Sequence, residues 1–317
     1  MMKFYRVPQT DLEVSGIAYG CDFLVRQGVE PDAVSADDVA VASRLINVAY
    51  DNGITLFDTA SAYQGGSSEV VLGRALAGSP GFRSRVVIQT KCSSGHSRAS
   101  IIASVEGSLR RLETDYLDLL LLHFHDPLME PHEVADAFDE LHGSGKVRHF
   151  GVSNHTPARI DLLKKFLHRP LVANQIHLGL VNSDLLDEVY FESDGRFHSS
   201  GTHNGIAGLD YSRLHEMQVE AYSPLRGKSV VGGAALLGPP SEAPPELRNA
   251  AELLQSLAAE KQTTPAALAL AWLIRHPGRI IPIIGSKKAE RIVESCTADG
   301  IELSPEEWYA LWAAGRG

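Results

Sequence analysis

The chain has 317 residues, 44% hydrophobic and 21% charged, enough for a packed core in one large or two ordinary domains. A formal net charge of −10 argues against a nucleic-acid scaffold, because phosphate binding needs basic surface. Three scattered cysteines (Cys21, Cys92, Cys296) without a CxxC argue against a disulfide framework or a zinc ribbon. With no long apolar run and no leader-like N-terminus, the expectation is a cytoplasmic protein.

Short apolar runs then alternate with helical patterns along the chain. Gly16 to Cys21 is the first run, followed by "SADDVAVASRLINVAYDNG", with Ser35 placed as N-cap and Gly53 as C-terminal stop. Ile54 to Thr59 and Arg85 to Lys91 come next, then an amphipathic "SRASIIASVEGSLRRLE". Tyr116 to His123 precedes "EPHEVADAFDELHGSG"; His149 to Asn154 precedes "TPARIDLLKKFL", with Pro157 near a helix start. Leu171 to His177, Gln218 to Pro224 and Ile280 to Ser286 complete the runs, the last after "PELRNAAELLQSLAAEK" and "TPAALALAWLIRH". Such Val/Ile/Leu-rich runs suit parallel strands covered on both faces, and eight of them predict a (β/α)8 barrel. A doubly wound sheet competes, but "GIAYGCDF" supplies no GxGxxG after the first strand. No domain linker is evident, so residues 1–317 are expected to form a single barrel domain.

Barrel active sites form at the C-terminal ends of the strands. There the runs end in Asp58, Lys91, His123, Ser153-Asn154, Tyr222-Ser223 and Gly285-Ser286, and the sixth carries Asn174-Gln175. Each has an ordinary alternative: a snorkelling lysine, a structural histidine, a packing tyrosine. Jointly, three titratable residues close three consecutive strands, and Tyr63 follows on the loop after Asp58. That loop can fold the phenol toward Lys91. An ammonium lowers a phenol's pKa, which predicts a Tyr63 able to give or take a proton near neutral pH. The carboxylate of Asp58 keeps the lysine charged, and His123 can hydrogen-bond the oxygen that the phenol protonates.

These pieces, in order, resemble the aldo-keto reductases: "FDTASAYQGGSSEVVLGRAL", "QTKC", "DYLDLLLLH", "SGKVRHFGVSN", "NQIHLG", "AYSPL" and "IPIIGSKKAERIVES". The resemblance covers about Gly16 to Ser295. It implies a (β/α)8 barrel with an N-terminal β-hairpin and a nicotinamide cofactor lying extended across the mouth. It further implies reduction of an aldehyde or ketone, with Asp58, Tyr63, Lys91 and His123 as the catalytic tetrad and Tyr63 as general acid. Ser153, Asn154 and Gln175 match residues that hold the carboxamide, and Tyr222 the aromatic that stacks on the nicotinamide. Ser223 and Leu225 would line the pyrophosphate. Ser286, Lys287 (or its neighbour Lys288) and Arg291 match the grip on a 2′-phosphate, which favours NADPH (NADP+) over NADH, and Glu294 the adenine contact. Where many members have Asn after that glutamate, this chain has Ser295.

Some features stay outside the resemblance. "HFHD" holds an HxH that would suit a metal site, but the tetrad accounts for His123 and no metal is expected. Tyr19, Phe23 and Phe124 are candidates for the substrate pocket. Residues 178–208 are long for a βα loop and are expected either to wall the pocket or to form a surface insertion. Trp308 and Trp312 are placed to pack a C-terminal helix on the barrel. Cys92 reads as a buried filler. A small-molecule carbonyl substrate is expected, without nucleic-acid or membrane partners; the substrate's identity and the oligomeric state are left open. A cofactor-binding regulatory subunit with little turnover is the alternative reading.

Overall fold

A computed structural model describes residues 2–93, 95–183, 186, 190–191, 197–198, 208–227 and 235–316. The chain opens with an antiparallel hairpin, β1 (Phe4–Arg6) and β2 (Glu13–Ser15). The eight apolar runs follow as parallel strands. These are β3 (Ala18–Gly20), β4 (Leu56–Asp58), β5 (Val87–Cys92), β6 (Leu117–Leu122), β7 (Val147–Ser153), β8 (Leu171–His177), β11 (Gln218–Tyr222) and β12 (Ile281–Ile284). They close into a barrel in chain order, with β12 pairing back onto β3. This is the (β/α)8 fold with its N-terminal hairpin.

Helices cover the outside: α1 (Ala36–Asp51), α2 (Ser67–Ala77), α3 (Arg98–Leu112), α4 (Pro131–Gly143), α5 (Pro157–Lys164), α6 (Gly208–Leu214), α7 (Pro245–Glu260), α8 (Pro265–Ile274), α9 (Ala289–Cys296) and α10 (Pro305–Ala314). Local chemistry sets their ends. Ser35 accepts from the Asp38 N–H while Asp38 accepts from the Ser35 N–H, a reciprocal capping box. Thr156 caps α5, with Pro157 at its first position, where a missing N–H costs nothing. α10 docks through Trp308, which stacks on Trp272 at 5.0 Å; each indole N–H donates to the other residue's carbonyl.

Strand periodicity sorts the side chains into two sets. Phe57, Ile88, Leu120 and Leu122 face the helices, in the core that also holds Leu45, Leu72 and Ile101. Leu56, Val87, Leu119, Leu121, Ala173, Ile281 and Ile283 face the lumen, where Val7, Leu12 and Val14 of the hairpin plug the lower end. The barrel is therefore a filled core with one closed end. β7 starts at Val147, two residues before the apolar run suggests. Arg148 and His149 continue the ladder while Asp11 and Asp118 take up their side-chain ends at the barrel's foot by hydrogen bonds.

Most of the 178–208 segment lies outside the described residues, and with it the expectation of a pocket wall or a surface insertion. Its described parts include an antiparallel pair, β9 (Tyr190–Phe191) with β10 (Phe197–His198), where no periodicity was expected. Among the described residues no helix is long and apolar enough to cross a membrane.

Candidate active site

The inward periodicity that fills the lumen also aims the polar residues. Leu56 and Asp58 lie on one face of β4, as do Val87, Gln89 and Lys91 on β5. Continuing β6 beyond Leu119 and Leu121 brings His123 to the same face. Register then sets heights, with Asp58 beside Gln89, Lys91 beside Leu121 and Ser153 beside Gln175.

Lys91 is the hub. Its Nζ lies 2.7 and 2.8 Å from the two Asp58 carboxylate oxygens, 2.8 Å from the Thr59 carbonyl and 3.2 Å from the Tyr63 hydroxyl. The side chain is completely buried. Burial alone would lower its pKa, but Asp58 and Tyr63 more than reverse this and hold the ammonium charged. Asp58 Oδ1 also accepts from Gln89 and Gln175 Nε2, at 2.8 and 2.9 Å.

Tyr63 reaches Lys91 because the chain reverses immediately afterwards. Gln64, Gly65 and Gly66 all have positive φ (49°, 64° and 99°), so α2 starts at once and the phenol folds back over the lumen. A Cβ on Gly66 would lie 2.9 Å from the Arg111 side chain, a second reason for glycine there. The predicted tuning of the phenol is corrected by the structure. Lys91 does lower the Tyr63 pKa, but burial of the hydroxyl is the larger influence and Asp58 adds to it, pushing the pKa up to about 12. Tyr63 is thus held protonated, as a proton donor needs to be before reaction.

His123 faces Tyr63 edge-on, with ring centroids 5.7 Å apart, and Phe124 stacks on it at 4.2 Å. Ser93 Oγ lies 2.7 Å from its Nδ1. Burial, helped by Lys91, lowers the His123 pKa to about 3, so the imidazole is neutral over the working pH range. Its HxH partner is not beside it: His125 faces His155 instead, at 6.3 Å. Among the described residues no group of three or more His, Cys, Asp or Glu is arranged to hold a metal ion. Cys92 is buried in the core, at the filler's place.

The predicted nicotinamide residues adjoin this cluster. Ser153 Oγ donates to the Gln175 carbonyl, and Asn154 Nδ2 donates to Ser153 Oγ at 2.9 Å. Asn154 Oδ1 accepts from the Tyr222 hydroxyl at 3.0 Å. Positive φ at Asn154 and Ser223 (59° and 53°) turns both out of their strands. The Tyr222 ring stacks on His177 at 5.3 Å and is half-exposed. Leu225 is half-buried beyond it. At the far end, Lys287 and Arg291 are exposed and Ser286 and Glu294 half-exposed, at the start of α9 and along it. Lys287 Nζ reaches back to the Val25 carbonyl (3.4 Å), toward the loop after β3. Lys288 caps α9, its N–H taken by Ser286 Oγ.

The predicted substrate pocket divides. Phe23 and Phe124 are about half exposed at the mouth. Tyr19 is corrected: it is 2% exposed, packs edge-on against Phe57, and donates its hydroxyl to the Ser286 carbonyl. Its place on β3 turns it outward into the core between strand and helices.

The structure adds residues that the sequence reading missed. Glu220 is fully buried in the lumen, where Gln89 and Gln175 Nε2 both donate to its Oε2, at 2.6 and 2.9 Å. Burial first, then Asp58, raises its pKa to about 7. A signal existed, since Gln89 and Glu220 are polar residues inside otherwise apolar strands. Asp22 and Gln64 meet at the mouth (3.2 Å) beside Tyr63. Burial raises the Asp22 pKa despite the Gln64 hydrogen bond. Asp22 directly follows the first apolar run, and Gln64 follows Tyr63 in the loop after β4.

Comparisons with known proteins agree with the (β/α)8 barrel on which this Asp–Lys–Tyr–His cluster sits. The aldo/keto reductase family model matches residues 27–315. The chain belongs to the aldo/keto reductase family. It is 33% identical over 321 residues to a 6-dehydroglucose reductase of Agrobacterium fabrum, covering 96% of each chain. It is 36% identical over 282 residues to the oxidoreductase YdhF of Escherichia coli, covering 84% of this chain and 85% of that one. An aldo/keto reductase of Klebsiella pneumoniae, solved with NADP and acetate, is 26% identical with a TM-score of 0.72, covering 98% of this chain and 94% of that one. A thermostable aldo-keto reductase solved with the inhibitor epalrestat shares the fold at a TM-score of 0.78 and 24% identity, over 99% of this chain and all of that one.

The protein is accordingly an oxidoreductase that reduces carbonyl compounds with NADPH. The residues present fit that cofactor. The Gln175 Nε2 is held by Asp58 and Glu220, leaving its Oε1 as an acceptor for an amide NH₂. Arg291 has no ion-pair partner among the described residues and remains available to an anion.

Proposed function

We propose that the enzyme reduces an aldehyde or ketone to an alcohol with Tyr63 as general acid, within one barrel domain spanning residues 1–317. The observation that carries this reading is the Lys91 ammonium, bonded at once to the Asp58 carboxylate and the Tyr63 hydroxyl. Bound NADPH supplies a hydride to the carbonyl carbon. Tyr63 gives its proton to the oxygen as negative charge builds there. Lys91 is already hydrogen-bonded to the hydroxyl and stabilises the phenolate left behind, while Asp58 keeps Lys91 charged and fixed. His123, neutral and edge-on to Tyr63, directs the carbonyl oxygen toward the phenol. Ser153, Asn154 and Gln175 hold the carboxamide, and the Tyr222 ring carries the nicotinamide face. Ser223 and Leu225 line the pyrophosphate. Ser286, Lys287 and Arg291 receive the 2′-phosphate, with Glu294 at the adenine. The cytoplasm is the proposed location.

Asp22 and Gln64 beside Tyr63, with exposed Phe23 next to Asp22 in the chain and exposed Phe124 stacked on His123, offer hydrogen bonds and apolar faces together. This favours a hydroxylated carbonyl substrate, in line with the name of the Agrobacterium relative. The regulatory-subunit alternative gains nothing from a site whose four residues are present and assembled. Tyr63→Phe tests the assignment: carbonyl reduction is expected to vanish, with NADPH binding, followed by tryptophan fluorescence, within about twofold of wild type. Wild-type turnover in that variant would remove Tyr63 from the chemistry.

A further inference from the structure

A neutral imidazole carries one hydrogen, and only the nitrogen that bears it can donate. His123 is neutral, so the placement of that hydrogen decides whether it can orient a carbonyl oxygen. Ser93 Oγ lies 2.7 Å from His123 Nδ1, and among the described residues no other side chain hydrogen-bonds the ring. Ser93 follows β5 directly, and its own N–H donates to Ser61 Oγ at 3.3 Å, anchoring it to the loop that carries Tyr63. Phe124 stacks on the imidazole and Tyr63 meets it edge-on, so the ring plane is set from two sides. With Nδ1 beside Ser93, Nε2 is the nitrogen left for the substrate.

We propose that Ser93 is a positioning residue that sets the tautomer of His123: its hydroxyl donates to Nδ1, so the single ring hydrogen sits on Nε2, ready for the carbonyl oxygen. The inference rests on the carbonyl-orienting role given to His123 above. The charged and titratable groups facing the ring are Lys91 from β5, with Asp58 of β4 behind it, and Tyr63 from the loop after β4. Asn154 of β7 contributes an uncharged amide, bonded to the His123 backbone carbonyl. None of these hydrogen-bonds Nδ1, which leaves Ser93 as its partner among the described residues.

Histidine-selective ¹⁵N NMR of the NADP+-loaded enzyme reads the tautomer, with the His123 signals assigned by their loss in His123→Asn. In wild type, Nε2 is expected to be the protonated nitrogen. Ser93→Ala is expected to give a mixture of tautomers and a kcat lower by about tenfold, the size of one lost hydrogen bond, with unchanged NADPH affinity. Ser93→Thr keeps the hydroxyl and restores both. Ser93→Asp is the sharper arm. Its carboxylate accepts from Nδ1–H, leaves a lone pair on Nε2 and raises the ring's pKa. Its kcat is therefore expected to fall further at neutral pH and to recover on acidification, because the imidazolium carries hydrogen on both nitrogens. Wild type shows no such recovery. A wild-type ring protonated on Nδ1, or a Ser93→Ala enzyme with wild-type tautomer and kcat, would overturn the proposal. Full turnover by Tyr63→Phe and His123→Asn would instead bring down the catalytic reading, while the NMR arms still report on Ser93, so the two failures are distinguishable.

Discussion

The two ends of the barrel mouth are built on opposite principles. At the catalytic end, Asp58, Lys91 and His123 are buried, and Asp58 with Lys91 forms a dense set of mutual hydrogen bonds. At the end proposed for the adenosine, Lys287 and Arg291 are exposed. The difference follows from what each end must do. Chemistry needs dipoles held in place before substrate arrives, in a site where water does not screen them. Anion binding needs only charge that can reach its target, and solvated side chains can close on it.

Breaking the buried end should have the larger consequences. Lys91→Met is expected to abolish reduction and also to destabilise the fold by about 3–5 kcal/mol, because Asp58 is left buried without its counter-charge. Chemical denaturation checks this, and an unchanged midpoint would mean that the lumen relaxes around the lone carboxylate. Glu220 sharpens the same point through pH. Its pKa is raised to about 7 in the folded protein, so the folded state binds the extra proton. Stability linked to Glu220 is therefore full below the ordinary glutamate range and is lost as pH rises through about 7. Glu220→Gln keeps an acceptor for Gln89 and Gln175 but cannot ionise. Its gain over wild type should grow between roughly pH 4.5 and 7, reaching about 3 kcal/mol at most. Melting curves that stay parallel across this interval would show Glu220 titrating normally.

The exposed end should respond more gently and only to the ligand. Arg291→Ala is expected to weaken NADPH binding by about 10- to 100-fold, with NADH changed by less than about twofold. Equal losses for both would mean that Arg291 does not contact the 2′-phosphate. Smallest of all, Lys287→Ala should cost about two- to fivefold in NADPH affinity, and Lys288→Ala less. Lys287 reaches toward the loop after β3, whereas Lys288 contributes mainly its backbone to the cap of α9. The reverse ranking would assign the phosphate to Lys288.

The barrel was legible because its signals are local. Each buried strand is a short Val/Ile/Leu run, and helix ends such as Ser35 and Thr156-Pro157 carry their own capping chemistry. The positions of Asp58, Lys91 and His123 were legible too, since each closes a run. Ser93 was not, although it lies two residues beyond Lys91, because a serine in a loop has no pattern to distinguish it until His123 is placed beside it. Tyr19 was misplaced because two-sided burial hides which face a strand residue takes. Only the register of β3 against β4 and β12 sends it outward.

The amino-acid order by itself determined the eight strands, the helices between them and the polar residues that end at one face. These depend on spacing of two or 3.6 residues, and spacing is a property of the chain. Barrel closure decided the rest. It brought Glu220 of β11 and Gln175 of β8, strands far from β4 in sequence, to the Asp58–Gln89 pair of β4 and β5. It also decided the charge states: Lys91 next to Tyr63 predicts a lowered phenol pKa, yet the enclosing barrel raises it. Desolvation sums over every atom that excludes water, so it is known only once the whole surround is in place.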